Sequence, residues 1–455
     1  MKKASKWIVA AMMAMLCTGM AQAQDSATVA QRPTSWTLKN CIDWAKQQNL
    51  TVRRNRISAG QAQIDLKDAK SAWLPTVNFS TNQNVTNRPF QESQSVVNGS
   101  TVIKTSHKTS YTGNYGLQAS MPLYDGGQTK NNIKLQEINS QIADLTVEQS
   151  ELGIEEQITQ LYVQILYAKE TIKQDEAQIA LSQEQVKRAR TMCETGLLNK
   201  VEVSQLESQL ATDKYQKVAD ETTLSDYKLQ LKQLLEIDGD EDFDIASENV
   251  DGDVLAPLPL KNDVFAAAVA QRPEIKAQKL AIDRSDVNIK LAKASMLPSV
   301  SLNAGVSTLN MSSNGNMFDQ LKDQWANAIG VTVSVPIFDH SKTKNAVAKA
   351  RLDKESSYLS LLEQQKTLWK TIETYWLQAN SAQQRYVAAK ENSDYAKKSY
   401  DLTSEQFKEG LKNIVELTTD KTNYITSLQK MTQAKYTELL NAAMLRYYQG
   451  ETINL

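Results

Sequence analysis

The chain has 455 residues, 41% of them hydrophobic, and a formal net charge of −1 at pH 7. This balance suits a folded protein and argues against a nucleic-acid partner, which a surplus of Lys and Arg would attract. The sequence has two histidines, and it contains no P-loop, no HExxH helix and no nucleophile elbow. We therefore expect neither an enzyme nor a metal or cofactor site, so any energy for the function must come from another protein.

Residues 1–23 have the features of a secretory signal peptide. Three lysines precede an apolar run, and Ala21-Gln22-Ala23 matches the small residues of a cleavage site. The residues before Cys17 depart from a lipobox, which argues against lipidation. Cys41 and Cys193 lie in unrelated parts of the pattern, so we expect free thiols. No later apolar run approaches the roughly 20 residues of a spanning helix, so the exported chain is periplasmic, secreted or inserted as a β-barrel.

A helical pattern covers residues 36–73, and Ile57, Ile64 and Ala72 mark an apolar stripe on it. The conformational restriction on a residue that precedes proline predicts that this helix ends before Pro75.

Residues 75–124 then change to a period of two, in which apolar and small polar side chains alternate. This alternation predicts a β-hairpin with one apolar and one polar face. Residues 298–339 carry the same pattern and predict a second hairpin. The hairpin loops are expected near residues 86–105 and 311–320, which are rich in Asn, Ser, Gly and Gln.

Residues 126–236 predict two long helices. Apolar side chains recur in steps of three and four, a 3.5-residue period that favours left-handed coiled packing. Asp175 and Ser182 interrupt this series, whose apolar members are Ile154, Ile158, Leu161, Ile165, Ala168, Ile172, Ile179, Val186, Ala189 and Cys193. An unbroken helix over residues 126–195 would measure about 100 Å, which exceeds a globular domain and suits a tube across the periplasm.

The second half of the chain repeats the first. A spacing of 214 residues separates Pro122 from Pro336 and also Gly196 from Gly410. Self-similarity at a fixed spacing indicates a duplicated architecture. We therefore predict a first repeat over residues 24–250, a linker over residues 251–261, and a second repeat over residues 262–455 with its long helices at 341–449.

Two related segments are predicted to be the tips of helical hairpins: Gly196-Leu197-Leu198-Asn199 and Gly410-Leu411-Lys412-Asn413. A glycine after a helical run takes the left-handed conformation that closes the helix. The asparagine three residues later can then cap the next helix.

The order of these elements resembles the TolC family. Each repeat has a helix, a hairpin that ends in Pro-Leu/Ile-Tyr/Phe-Asp at Pro122 or Pro336, and long helices that meet at a Gly-Leu tip. That family forms the outer-membrane exit ducts of bacterial efflux pumps and type I secretion systems. The resemblance implies a mainly α fold with a small β part and an internal two-fold repeat. Long coiled helical hairpins would form an α-barrel, and four strands would join a shared trimeric 12-stranded transmembrane β-barrel.

The sequence itself leaves the number of chains open. Four strands cannot close a barrel, and a bilayer tolerates no open sheet edge. Two chains would give eight strands and three would give twelve, and a duct favours twelve because side chains fill an eight-stranded barrel. The family is trimeric, which the resemblance implies here.

The resemblance also implies the partners. A homotrimer would contact outer-membrane lipid and extend into the periplasm. There it would meet a periplasmic adaptor protein and, through it, an inner-membrane transporter of the RND, ABC or MFS type. The main hypothesis is the passive duct of a tripartite efflux pump. A duct for type I protein secretion is the close alternative, and a soluble periplasmic coiled-coil adaptor or scaffold is the alternative from another class.

Alignment on the tip glycines carries the family's periplasmic gate onto this chain. Glu202, Lys412 and Glu416 take the positions of its charged residues, and Phe407 stands where the family has a gating tyrosine. A second acidic position falls on Thr419, beside Asp420. The docking surface for the adaptor would be Gly196, Leu197, Leu198, Gly410 and Leu411. The alternatives are that the charges are solvated helix faces and that the leucines are buried against a neighbour.

Overall fold

The structure, a computed structural model, describes residues 35–90, 94–98, 101–105, 109–237, 243–246, 254–311 and 316–453. The predicted signal peptide, Cys17 and the first part of the predicted linker lie outside these residues.

The four main helices of the first half have the same lengths, in the same order, as the four main helices of the second half. In the first half α1 and α2 have 11 and 22 residues, and α3 and α4 have 67 and 35. The second half repeats the same four lengths in α5, α6, α8 and α9. The first four helices are α1 Leu38–Gln48, α2 Leu50–Ser71, α3 Gln128–Glu194 and α4 Lys200–Leu234, and their counterparts are α5 Lys261–Gln271, α6 Pro273–Ala294, α8 Lys342–Lys408 and α9 Ile414–Tyr448.

The single helix predicted over residues 36–73 is wrong, because the chain breaks at Asn49 into α1 and α2. The Asn49 side chain accepts hydrogen bonds from Thr51 N at 2.9 Å and Val52 N at 3.4 Å, so it caps α2. Its amide also donates to the Leu234 carbonyl at 3.0 Å. The equivalent break separates α5 from α6, where Pro273 occupies the first helical position.

Helix α2 packs against α3 and buries few of its side chains. Its buried side chains are Val52, Ala59 and Ala69, whereas the stripe predicted at Ile57, Ile64 and Ala72 is exposed in the protomer.

Four antiparallel strands form one sheet in the order β1-β4-β5-β6, so β4 and β5 join the two halves. The two predicted hairpins are confirmed as the β1–β4 and β5–β6 pairs. The strands are β1 Thr76–Asn87, β4 Thr109–Asp125, β5 Ser299–Met311 and β6 Ala326–Ser334. The predicted loops contain further structure, namely β2 Gln94–Asn98 paired with β3 Thr101–Thr105, and the short helix α7 Met317–Asp323.

The sheet has the one apolar and one polar face that the alternation predicts. Register aligns Val77, Ala119, Ala304 and Ile329 in one apolar row across all four strands, and Met121, Leu302 and Val331 in another. The neighbouring row on the other face is Thr76, Ser120, Asn303 and Gly330. None of the described helices combines the length and apolar composition needed to cross a bilayer.

The long helices pack in two stretches. In the stretch nearer the sheet, α3 contacts α2 and α6, and α6 also contacts α8. In the stretch nearer the tips, α3 pairs with α4 and α8 pairs with α9. A large apolar cluster, which also includes α1 and α5, lies where these stretches meet, and its fully buried members include Ile158, Tyr162, Ile165, Leu231, Ile275, Ile372 and Leu445. A second, smaller cluster lies near the tips.

The strand-to-helix junctions show what the repeated Pro-x-Tyr/Phe-Asp motif does. Pro122 lies at a register irregularity in β4, and Pro336 follows β6. Three residues after each proline an aspartate caps the long helix: Asp125 Oδ2 accepts from Thr129 N at 2.6 Å, and Asp339 Oδ2 accepts from Thr343 N at 2.8 Å. The Thr343 hydrogen bonds hold the pKa of Asp339 below its usual value.

The two residues after each aspartate have positive φ. In the first half they are Gly126 (φ 67°) and Gly127 (φ 83°), whereas the second half has His340 (φ 55°) and Ser341 (φ 63°). Residues with a side chain lose about 1–2 kcal/mol in this conformation. The second junction is therefore strained relative to the first.

Replacing Ser341 by Gly should raise the free energy of unfolding by about 1 kcal/mol, because the strain is removed. Ser356→Gly, at an exposed position inside α8, is the matched control and should lower it by about 1 kcal/mol. Thermal unfolding of the purified variants in detergent measures both. Destabilisation by both substitutions would show that Ser341 is not strained.

Candidate functional site

The tips of the two helical hairpins have the same backbone geometry. Gly196 (φ 74°) and Gly410 (φ 73°) are left-handed. At the first tip Gly196 N donates to Cys193 O at 3.1 Å and Leu197 N to Met192 O at 2.9 Å, and the second tip repeats both bonds. This is the Schellman motif, which satisfies the last carbonyls of a helix. The predicted helix-closing role of both glycines is confirmed.

The asparagines after the tips cap the helices that follow, as predicted. Asn199 Oδ1 accepts from Glu202 N at 2.9 Å, and Asn413 Oδ1 accepts from Glu416 N at 3.0 Å. The Glu202 carboxylate in turn accepts from Asn199 N at 3.0 Å, which completes a capping box. One function of Glu202 is therefore to start α4.

The three leucines at the tips differ in their environment. Leu197 is 74% exposed and Leu411 is 75% exposed, whereas Leu198 packs against the second apolar cluster. We call this the tip cluster; it comprises Val186, Ala189, Leu206, Tyr400, Phe407, Ile414 and Leu417. It draws on α3, α4, α8 and α9, so it joins the two hairpins just above their exposed ends.

The residues assigned to the gate are only partly brought together. Lys412 Nζ lies 3.3 Å from the Glu416 carboxylate one turn later in the chain, while the Glu202 carboxylate is engaged in its own cap. Phe407 is buried in the tip cluster. Asp420 accepts from Ser399 at 3.2 Å and Thr403 at 2.6 Å, which ties α9 to α8.

A layer of buried and half-buried polar residues, here called the polar layer, lies above the tip cluster, and alignment on the tip glycines does not identify it. Its residues are Gln174, Asp175, Gln178 and Ser182 of α3, Asp213 and Asp220 of α4, and Lys421 and Thr432 of α9. Asp175 and Ser182 are the two residues that interrupt the apolar series of α3. That interruption was the sequence signal, because a buried polar position in a coiled seam needs partners.

An ion pair at the centre of this polar layer joins α9 to α3 and α4. The Lys421 side chain is 3% exposed, and its Nζ donates to Asp213 Oδ2 at 3.0 Å and to Ser182 Oγ at 2.5 Å. Asp213 also accepts from Ser182, from Gln209 at 2.9 Å and from Gln178 at 3.3 Å. Burial lowers the pKa of Lys421, and the adjacent Asp213 carboxylate opposes that shift.

Above the polar layer, a second buried cation lies in the large apolar cluster. The Arg272 guanidinium lies 3.9 Å from the centre of the Tyr448 ring and 5.2 Å from that of Tyr447. Burial raises the pKa of Tyr448 to about 12. These contacts join the break between α5 and α6 to the end of α9. The described residues contain no group of three or more His, Cys, Asp or Glu side chains arranged to hold a metal ion.

The sequence matches one known protein family over most of its length. The sequence profile of the family described as "Outer membrane efflux protein" matches residues 42–236 and 264–451. The chain belongs to that family. It is therefore an outer-membrane channel protein of the kind that serves efflux, and the predicted resemblance and localisation are confirmed.

Individual relatives are distant in sequence but similar over most of their length. The outer membrane efflux protein BepC of Brucella suis biovar 1 is 22% identical over 95% of this chain and 88% of its own length. The outer membrane protein TolC of Salmonella enteritidis is 21% identical over 90% of this chain and 81% of its own. A crystal structure of CusC, solved in a study of folding and transmembrane channel formation, has a TM-score of 0.78 at 16% identity and covers 93% of this chain and 96% of that one.

Replacing Lys421 by Met should lower the free energy of unfolding by about 3–5 kcal/mol, because it leaves Asp213 as a buried, unpaired charge. The double variant Lys421→Met with Asp213→Leu should recover most of that loss, since both charges are removed. Lys430→Met, at an exposed position of the same helix, is the control. Denaturant unfolding measures all three, and a double variant as unstable as the single one would contradict the ion pair's role.

Proposed function

We propose that this protein is the exit duct of a tripartite efflux pump, a passive conduit for small molecules that an inner-membrane pump and a periplasmic adaptor deliver. The supporting observation is the arrangement along one axis. An amphipathic sheet lies at one end of two 67-residue helices, each about 100 Å long. Two exposed Gly-Leu tips lie at the other end. This length suits a passage across the periplasm, with the sheet in the outer membrane.

The open edges of the sheet support a trimer. In the protomer β1 and β6 each pair on one side, which leaves a row of unpaired backbone groups that a membrane does not tolerate. Three copies, each pairing β6 with the neighbour's β1, would close a twelve-stranded sheet around an aqueous passage. The exposed Ile57 and Ile64 of α2 would then be covered at the boundary between protomers.

Deletion of the gene should raise the intracellular accumulation of a fluorescent efflux dye, because the dye loses its path through the outer membrane. A plasmid copy should restore export, which dye efflux from preloaded cells measures. Unchanged dye efflux together with loss of a secreted protein from the medium would favour the protein-secretion duct instead.

Docking of the adaptor is assigned to the two tips, Gly196-Leu197-Leu198 and Gly410-Leu411. Leu197 and Leu411 project from the ends of the hairpins with about three quarters of their surface exposed. Leu198 would act indirectly, because it anchors the first tip to the tip cluster. Exposed apolar side chains at such a position suit contact with another protein.

The double variant Leu197→Ser with Leu411→Ser should abolish dye efflux in the deletion strain, because the apolar docking contact is lost while the fold is kept. Leu229→Ser, at a position of α4 that is 63% exposed, is the control and should export normally. The mass of each variant in detergent should be that of three chains. Normal export by the double variant would argue against docking through these leucines.

The gate is assigned to Glu202, Lys412 and Glu416 at the periplasmic mouth. Within one protomer Lys412 is paired with Glu416, so we infer that its contact with Glu202 forms between neighbouring protomers. Threefold symmetry would bring three copies of Glu416 around one axis, where carboxylates favour cations. Phe407 and Asp420 would support the gate from within the hairpin, through the tip cluster and the bonds to α8.

Glu202→Gln combined with Lys412→Ser should raise single-channel conductance in a planar bilayer, because the closed mouth loses its latch. Glu416→Ala should lower cation preference and weaken block by multivalent cations. Both effects should diminish in high salt, which screens exposed charges. Channels with wild-type conductance, selectivity and block would mean that these charges are solvated helix faces.

A further inference from the structure

The polar layer contains a carboxyl group without a conventional partner. Asp175 is 6% exposed, and its Oδ2 atom is buried and meets no hydrogen-bond donor in the described part of the chain. The group that faces it is a second carboxyl, Asp220 of α4, with Asp213 and Lys217 nearby. A buried carboxylate oxygen that meets no donor is costly, so this arrangement needs an explanation.

The neighbouring cations are already engaged elsewhere. Lys217 lies 3.0 Å from Glu176 and 3.3 Å from Glu221, and Lys421 from α9 is held by Asp213 and Ser182. Asp175 is buried, whereas Asp220 is half-buried and also accepts from Gln216 Nε2 at 3.0 Å. Two carboxylates that face each other at such a site repel each other when both are charged. A single shared proton converts that repulsion into a hydrogen bond, since a protonated carboxyl group is a donor.

We propose that Asp175 and Asp220 form a proton-binding site, and that its occupancy controls how firmly the tip end of the hairpins is joined to the rest of the protomer. With the proton bound, α3 and α4 are bridged in the polar layer. Without it, two carboxylates face each other and the helices separate there. Burial, together with the hydrogen bond to Asp220, raises the pKa of Asp175 to about 7, so the site titrates near neutral pH.

The site lies between the two apolar clusters, so separation of the helices there affects how the tip end is joined to the rest of the protomer. The large apolar cluster lies on one side of the polar layer and the tip cluster on the other. Apolar packing therefore holds both ends, and the polar layer between them depends on hydrogen bonds and charge. Local opening takes place where apolar contacts are fewest. This inference uses the packing of one protomer and does not rest on the transport function.

Hydrogen–deuterium exchange of the full-length protein in detergent tests the proposal. A carboxyl whose pKa is raised in the closed state favours closure at low pH and loses that effect as pH rises. We take the pKa of Asp175 to have its ordinary value when the site is open. After correction for intrinsic exchange, the protection of residues 174–182 and 209–221 should then fall about tenfold between pH 6 and pH 8. Residues 154–166, in the large apolar cluster, should show no such change.

Two substitutions and one control make the test specific. Asp175→Asn and Asp220→Asn each remove one carboxyl and supply an amide donor, so either should abolish the pH dependence and leave protection at pH 8 above that of the wild type. Asp144→Asn, at an exposed position of the same helix, should behave like the wild type. Wild-type protection that is equal at pH 6 and pH 8, or a tenfold fall that persists in Asp175→Asn, would overturn the proposal.

Discussion

The length of α3 and α8 is the constraint on which the rest of the protomer depends. A helix of about 100 Å cannot bury its apolar face against one short neighbour, so each long helix changes partners along its course. Toward the sheet these partners are α2 and α6, and toward the tips they are α4 and α9. The large apolar cluster lies where the two sets of partners meet, and α1 and α5 also pack into it. The breaks at Asn49 and Arg272 separate these two short helices from α2 and α6.

The length of these helices also explains why the contact between the α3–α4 hairpin and the α8–α9 hairpin is not apolar throughout. The heptad series of α3 is interrupted at Asp175 and Ser182, two buried polar residues, and its other members from Ile154 to Cys193 are apolar. An apolar seam of this length would stabilise several registers, since a slip by one heptad matches apolar residues again. The pair of Lys421 and Asp213 selects one register, because only one alignment gives both charges a partner. The polar layer therefore lowers stability locally and specifies the alignment of the hairpins.

Much of the fold could be predicted from the sequence because its signals are local or repeated. The long helices follow from a 3.5-residue period, the strands from alternation, and the tips from Gly and Asn at the same spacing in both halves. The break at Asn49 was missed because Asn is compatible with a helical pattern, and its capping role depends on a contact with Leu234 that only the tertiary structure supplies. The pairing of β2 with β3 lies in a segment whose Asn and Ser content predicted a loop.

The candidate site was harder to predict, for a physical reason. Alignment on the tip glycines identifies the positions of the gate residues, but not their partners. A charged side chain can find a partner within its own helix or cap: Glu202 completes a capping box, and Lys412 pairs with Glu416 one turn away. Such local bonds are short-range and weak in solvent, so they leave these residues able to exchange partners when protomers meet. Lys421 is different, because it is buried and held by Asp213 and Ser182, which removes that freedom. The exposed charges at the tip are suited to contacts that form and break, whereas the buried pair of Lys421 and Asp213 is suited to holding together the helices that carry the tips.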